Sequence, residues 1–247
     1  MPLGSGCVVS GHRFRWQLYP SQASIAATIA GVAAQRAMPE RAITIAYAAA
    51  LQESYLEDVR YGDRDSVGVF QQRPSQGWGT RQQLLDPVYA STRFFKALAA
   101  IPHYERLRVY KAAQAVQRSA DGSAYRQWVK QGADMAAGFS GRRPRTVSCW
   151  YGSGFRGRGQ LSAASMQLRR TFGRLTISHA GDPRVRVRGP DMGWAIAAWL
   201  VSHAGRFKIR QVSYQGYQWT AAHGKKGWTA GQQARHAAGT RAAVTFG

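Results

Sequence analysis

The run Ala42-Ile43-Thr44-Ile45-Ala46-Tyr47-Ala48-Ala49-Ala50-Leu51 constrains the fold more than any other feature. Pro39 and Glu40 suit the first turn of a helix, so the run reads as a helix that is apolar almost all round. A surface helix carries one apolar stripe, whereas a helix apolar on every face must be surrounded by other elements. The rest of the chain therefore has to wrap residues 40–51. It has the means, with 247 residues of which 45% are hydrophobic. That excludes intrinsic disorder, which combines low hydrophobicity with high net charge. No run of about 18 apolar residues exists, so no membrane span is expected.

Charge is the second constraint. The chain has 34 Lys plus Arg against 12 Asp plus Glu, a net of +22. Such a chain attracts a polyanion: nucleic acid, an anionic membrane or an acidic wall polymer. The excess is uneven, with 15 bases and 2 acids (+13) in residues 151–247 and 19 bases and 10 acids (+9) in residues 1–150. This step predicts two domains joined near residue 150.

Residues 21–38 read as a helix, with Ile25, Ile29, Val32 and Ala33 at helical spacing. Residues 57–79 are polar and Gly-rich, a long structured loop or a small hairpin. Asp86 is a good N-cap and Pro87 a good first residue for a helix running to about Ala100. Further helices are expected over 107–118 and 120–131, and 138–145 reads as a linker. Beyond it, helices over 161–172 and 192–204 combine with strands over 209–214, 217–219 and 242–246, the first two around Gln215-Gly216. The expected fold class is α+β: a mainly helical domain followed by a small α+β domain. Residues 1–6 have neither the basic nor the apolar region of a signal peptide, so an export signal would lie outside this chain. Two cysteines, Cys7 and Cys149, leave free thiols and a disulfide equally open.

Glu53 follows directly on the apolar run. A carboxyl group there meets burial and the partial negative charge of a helix end, and both disfavour ionisation. A carboxyl that holds its proton near neutral pH can act as a general acid. The plainer alternative is a solvated helix-end residue.

The surrounding strings favour chemistry. They are Gln52-Glu53-Ser54, then Tyr61-Gly62-Asp63-Arg64-Asp65-Ser66, then Val67-Gly68-Val69-Phe70-Gln71-Gln72. Together they resemble the lysozyme-like soluble lytic transglycosylases and goose-type lysozymes, which carry Glu-Ser at the end of a buried helix and a Gly-Gln turn further on. The continuation Arg73-Pro74-Ser75-Gln76-Gly77-Trp78-Gly79, with Leu85-Asp86-Pro87-Val88-Tyr89-Ala90, is similar to an actinobacterial cell-surface branch of that family. The resemblance covers about residues 20–135.

It implies a lysozyme-like catalytic domain over 20–140, after an N-terminal segment 1–19 and before a linker 141–158 and a basic accessory domain 159–247. It implies Glu53 as the general acid, with Ser66, Gln71, Gln72, Trp78, Tyr104 and Gln117 as substrate contacts. The family's later Ala-Tyr-Asn-Ala-Gly string has no match; Ala113 to Gln117 stands there, and either Gln114 or Gln117 takes its polar role. Trp78, Tyr89, Phe94, Tyr104 and Tyr61 are candidates to line a sugar cleft, with core packing as the alternative.

The second carboxylate decides the reaction. Glycoside hydrolysis normally uses two. A lytic transglycosylase uses one, because the substrate's own N-acetyl group attacks the anomeric carbon. Gly62-Asp63-Arg64 resembles the goose-type string that places an aspartate near water, so Asp63 is the second catalytic candidate. Asp65 is its rival, with a turn role as the alternative.

The resemblance also implies a Cys7–Cys149 disulfide, in an exported protein that permits one. Closing so long a loop is worth roughly 4–5 kcal/mol on the chain-entropy model. His179, His203, His223 and His236 with Asp182 and Asp191 have no tight ligand spacing, so no metal or other cofactor is expected. The implied setting is extracellular or wall-associated, and the implied partners are peptidoglycan and anionic wall polymers, with a monomeric chain. A catalytically silent wall-binding protein is the competing reading. A nucleic-acid binder rests on charge alone and lacks any recognition motif.

Overall fold

A computed structural model describes residues 4–119, 123–152, 155–231 and 243–247. The fold is α+β. The chain divides into two compact units, a helical one of Thr28–Ala136 and a discontinuous one of Met1–Ala27 with Ala137–Gly247.

The helical unit is organised by its most apolar segment. After α1 (Pro20–Gln35), the expected central helix is α2 (Glu40–Ser54), in which every residue from Ala42 to Leu51 is buried. Burying side chains such as Ile45 or Leu51 contributes about 1.5–3 kcal/mol each. Tyr55 and Leu56 terminate α2 in left-handed conformation, and the Leu56 N–H returns to the Ala50 carbonyl. A short α3 (Arg81–Leu84) is capped by a reciprocal Thr80–Gln83 box. In α4 (Pro87–Ala99), the Asp86 carboxylate accepts from the Val88 N–H at 3.0 Å and Pro87 opens the first turn, as the sequence predicts. α5 (Val109–Gln117) and α4 both pack on α2.

The helix expected over 120–131 is different. Residues 120–122 lie outside the described residues, Ser123–Trp128 form a 3-10 turn, and α6 (Val129–Phe139) starts only afterwards. The tighter turn is stabilised by side-chain bonds to the end of α2, described below. Gly132 lets α6 approach α2, since a Cβ there would lie 3.2 Å from the Thr44 carbonyl oxygen.

The second unit is built on two antiparallel sheets. β1 (Gly6–Gly11) lies between β2 (Phe14–Leu18) and β3 (Val147–Trp150). Residues 1–19, expected as a leading segment, thus supply two strands. The expected linker 141–158 contains β3, with three buried residues, and the charge step at residue 150 falls inside the fold of this unit. Cys7 and Cys149 are directly opposed across β1 and β3 and form the disulfide.

After α7 (Leu161–Phe172) come β4 (Ile177–Ser178), β5 (Arg184–Arg186), α8 (Pro190–Phe207), β6 (Gln211–Tyr214), β7 (Tyr217–Thr220), β8 (Thr229–Ala230) and β9 (Ala243–Phe246). The strands form one sheet in the order β4-β5-β9-β6-β7-β8. Gln215 and Gly216 both adopt positive φ between β6 and β7, the conformation of a two-residue hairpin turn. α8 buries Trp194, Trp199 and the residues between them. It meets β6 closely at Gly193, where a Cβ would lie 2.0 Å from the Tyr214 ring. Among the described residues, no helix is long and apolar enough to cross a membrane. His179 and Asp182 are exposed, and His236 lies outside the described residues.

Candidate active site

Glu53 occupies the last turn of α2 and is half-buried. The Tyr125 hydroxyl donates to its Oε1 at 2.6 Å. Oε2 accepts no hydrogen bond from any described residue. The carboxyl group is thus oriented through one oxygen and open at the other. The turn that delivers Tyr125 is clamped onto the same helix end. The Trp128 indole N–H donates to Gln52 Oε1 at 2.8 Å, Gln127 Nε2 reaches the same oxygen at 3.3 Å, and the Trp128 ring meets Tyr55 edge-on at 5.4 Å.

Ser54 explains why a serine follows the glutamate. It is buried, and its hydroxyl lies 2.8 Å from the Val69 carbonyl oxygen and 3.2 Å from that of Ala50. The next carbonyl of the loop, that of Phe70, accepts from Gln117 Nε2 at 2.7 Å. Two consecutive carbonyls of the Gly68-Val69-Phe70-Gln71 turn are therefore held by a residue next to Glu53 and by one from α5. Gln117 takes this role, whereas the Gln114 amide turns back to the Ser119 carbonyl. The turn needs Gly68: its φ is 75°, and a Cβ would lie 2.3 Å from the Leu84 carbonyl oxygen. The bridge between Val67 and Gln72 closes the loop, the small hairpin the sequence allowed.

The expected substrate contacts divide. Gln71 is half-buried beside the turn, with its amide on the Gly68 and Tyr61 carbonyls and its Oε1 over Gly62. Trp78 is half-buried, and its carbonyl accepts from the Tyr89 hydroxyl at 3.4 Å. Ser66, Gln72 and Tyr104 point inward instead, at 6%, 2% and 6% exposure, which leaves them little surface to offer a sugar. Gln72 serves the loop from inside, through the Ala90 carbonyl. Phe94 stacks on Phe70 at 4.4 Å and belongs to the core, while Tyr61 is largely exposed.

The two rival aspartates behave differently. Asp65 accepts from Arg73 Nε at 2.8 Å and from the Ser75 N–H at 2.7 Å. These bonds, the arginine's first, hold its carboxyl well below the usual carboxylate range. It is a loop fastener. Asp63 is exposed at the start of the turn whose carbonyl receives the Ser66 N–H. A third carboxylate, unforeseen from sequence, lies beside Gly68: Asp58 Oδ1 is 3.6 Å from where a Cβ of that residue would stand. Asp58 is exposed overall, yet partial desolvation of its carboxyl, opposed by Arg60, pushes it up to about 6.

Sequence reasoning also missed Tyr125, Trp128 and Gln52. The only advance signal for the two aromatics was their pairing in a polar stretch, Tyr125-Arg126-Gln127-Trp128, more than 70 residues from Glu53. Comparison with protein-family models and with curated proteins finds no match for this chain.

Proposed function

We propose that this chain is a peptidoglycan-cleaving glycosidase acting on the MurNAc–GlcNAc bond, with Glu53 as its single general acid and base. The observation that carries the reading is the Tyr125 hydroxyl on Glu53 Oε1 at 2.6 Å, beside an Oε2 that no described residue engages. A carboxyl held by one oxygen and open at the other is suited to deliver a proton in a fixed direction.

In the proposed reaction, Glu53 Oε2 gives its proton to the glycosidic oxygen as the bond to MurNAc C1 breaks. The N-acetyl oxygen of the same sugar bonds to C1 and carries the positive charge. The sugar's own C6 hydroxyl then attacks C1, the bond from the N-acetyl oxygen to C1 breaks and restores the neutral acetamide, and the hydroxyl proton passes to Glu53. The product is a 1,6-anhydro sugar, and the enzyme ends as it began. Asp65 is engaged by Arg73 and Ser75, and Glu53 with the substrate's own N-acetyl group suffices for a single-carboxylate route. The Cys7–Cys149 disulfide supports an oxidising, extracellular or wall-associated setting. The positive charge of the second unit suits attraction to an anionic wall.

Turbidity clearing of purified peptidoglycan by wild type, Glu53→Gln and Asp63→Asn tests the assignment. The expected result is loss of about 10²–10⁴-fold for Glu53→Gln, the range for a general acid, and near-normal clearing by Asp63→Asn. Equal clearing by wild type and Glu53→Gln would remove Glu53 from the chemistry. Absence of clearing by the wild type would leave the chain as a silent wall binder.

A further inference from the structure

A cavity of about 440 Å³ lies within the second unit and shares no residue with the site around Glu53. It gathers Ser5 ahead of β1, Tyr151 and Phe155 after β3, and His203, Arg206 and Lys208 at the end of α8, together with the start of α1. Its aromatic part is firmly built. Tyr151 and Phe155 stack at 5.4 Å, and the Tyr151 hydroxyl donates to the Val201 carbonyl at 2.7 Å. Gly205 of α8 fits under the Tyr151 ring only because it lacks a Cβ, which would lie 2.6 Å from the ring edge. The disulfide pins the strands from which Ser5 and Tyr151 emerge, and the Gly152 N–H donates to Ser5 Oγ at 2.9 Å.

The polar groups are of three kinds. Arg206 and Lys208 form no ion pair with a described carboxylate, and no Asp or Glu is among the described residues that line the cavity. Lys208 Nζ sits 5.6 Å from the centre of the Phe155 ring, so cation and aromatic face are adjacent. Ser5 Oγ accepts from the backbone, so its own O–H remains a donor. His203 Nδ1 lies 2.9 Å from the Trp199 carbonyl oxygen and donates to it, which leaves Nε2 as an acceptor. Burial pushes this imidazole down to about 3, so it is neutral at physiological pH.

Paired cations ask for an anion. The aromatic side chain beside them offers apolar surface to the carbons of a sugar, and a neutral acceptor with a hydroxyl donor suits sugar hydroxyls. We infer that this cavity binds a sugar ring bearing a carboxylate or phosphate, the anion on Arg206 and Lys208 and the sugar against the Phe155 side chain. The inference deepens the wall-attachment half of the proposed function and is independent of the catalytic half. A catalytically silent Glu53 leaves it standing.

The test is calorimetric titration of the full chain with N-acetylmuramic acid, glucose 6-phosphate, uncharged N-acetylglucosamine and inorganic phosphate. At least one sugar anion is expected to bind about tenfold more tightly than both the uncharged sugar and free phosphate, the ratio for one charge-assisted contact. The arm that binds better identifies carboxylate or phosphate as the recognised group. Arg206→Ala with Lys208→Ala should weaken that binding by at least about tenfold, and Phe155→Ala should weaken it for the sugar anion but not for phosphate. Arg184→Ala with Arg188→Ala removes the same charge elsewhere in the unit and should change little. Equal loss in this control pair would reduce the effect to bulk charge and overturn the inference. Equal binding of charged and uncharged sugars, of sugar anion and free phosphate, or no binding of any probe, would also overturn it. These wild-type comparisons decide the matter even if a variant fails to fold.

Discussion

The two units handle charge and burial in opposite ways. The helical unit, residues 28–136, has 14 basic and 10 acidic residues, a net of +4. The sheet-bearing unit has 20 basic and 2 acidic residues, a net of +18. Cutting the chain at residue 150 hides much of this contrast, because the basic residues of 13–15 and 142–145 belong with the C-terminal part. The helical unit keeps its carboxylates and uses them locally: one fastens a loop, one caps α4, and one stands open at the end of α2. The sheet unit sets 20 basic residues against two acids, and ties itself together covalently. Charge thus divides the chain into a unit of mixed charge and a strongly basic one.

The comparison can be broken most forcefully at the disulfide. Its 142-residue separation makes the bond worth about 5 kcal/mol on the loop-entropy model. Cys7→Ser with Cys149→Ser is expected to raise hydrogen exchange throughout β1, β3 and α8 while amides of α2 and α5 keep their protection. Equal loss of protection in both units would mean that they do not stabilise themselves separately.

Next in size is an acid sensitivity confined to the sheet unit. The folded state holds His203 down to about 3 from an ordinary 6.5, mainly through burial. The unfolded chain therefore binds a proton that the folded one refuses between those values. Stability is fully present above pH 6.5 and is lost as pH falls toward 3, at up to about 1.4 kcal/mol per pH unit. Denaturant titrations of wild type and His203→Gln from pH 7 to pH 4 should show a shallower slope in the variant. Parallel slopes would contradict the assignment.

In the helical unit, Ser54→Ala strips the buried Val69 carbonyl of its partner and should cost about 1–3 kcal/mol, read as a lower Tm. It should also reduce clearing of peptidoglycan, because the turn beside Glu53 loosens. The smallest expected effect concerns Asp65. Its carboxyl is depressed in the fold, so its bonds to Arg73 and Ser75 persist at neutral pH and are released only when pH falls below the usual carboxylate value. The Ser75 amide resonance should move in that acid window in wild type, and the movement should vanish in Asp65→Asn.

Local signals carried much of the fold. The all-apolar run became α2, Asp86-Pro87 opened α4 as capping rules require, and Gln215-Gly216 made the hairpin turn. What stayed hidden depended on partners remote in sequence. β3 is four residues long beside a basic turn, and only pairing with β1 makes it a strand. The 3-10 form of residues 123–128 follows from side-chain bonds to Gln52 and Glu53, which no window around residue 125 contains. For the candidate site, Glu53 was marked by its place at the end of the apolar helix, whereas Ser54 and the Gly68 turn were marked by resemblance to a known family and not by any local rule. The inward direction of Ser66, Gln72 and Tyr104 was not, since residue type alone does not reveal which way a loop folds over.

In the proposed function, Glu53 alone supplies the acid and base for cleavage at MurNAc. Mass analysis of peptidoglycan digested by wild type and by Glu53→Gln tests it most directly. The wild type should give fragments ending in 1,6-anhydro-MurNAc and the variant none. Reducing ends in place of anhydro ends would contradict the single-carboxylate route, and identical fragments from both proteins would contradict the role of Glu53 itself.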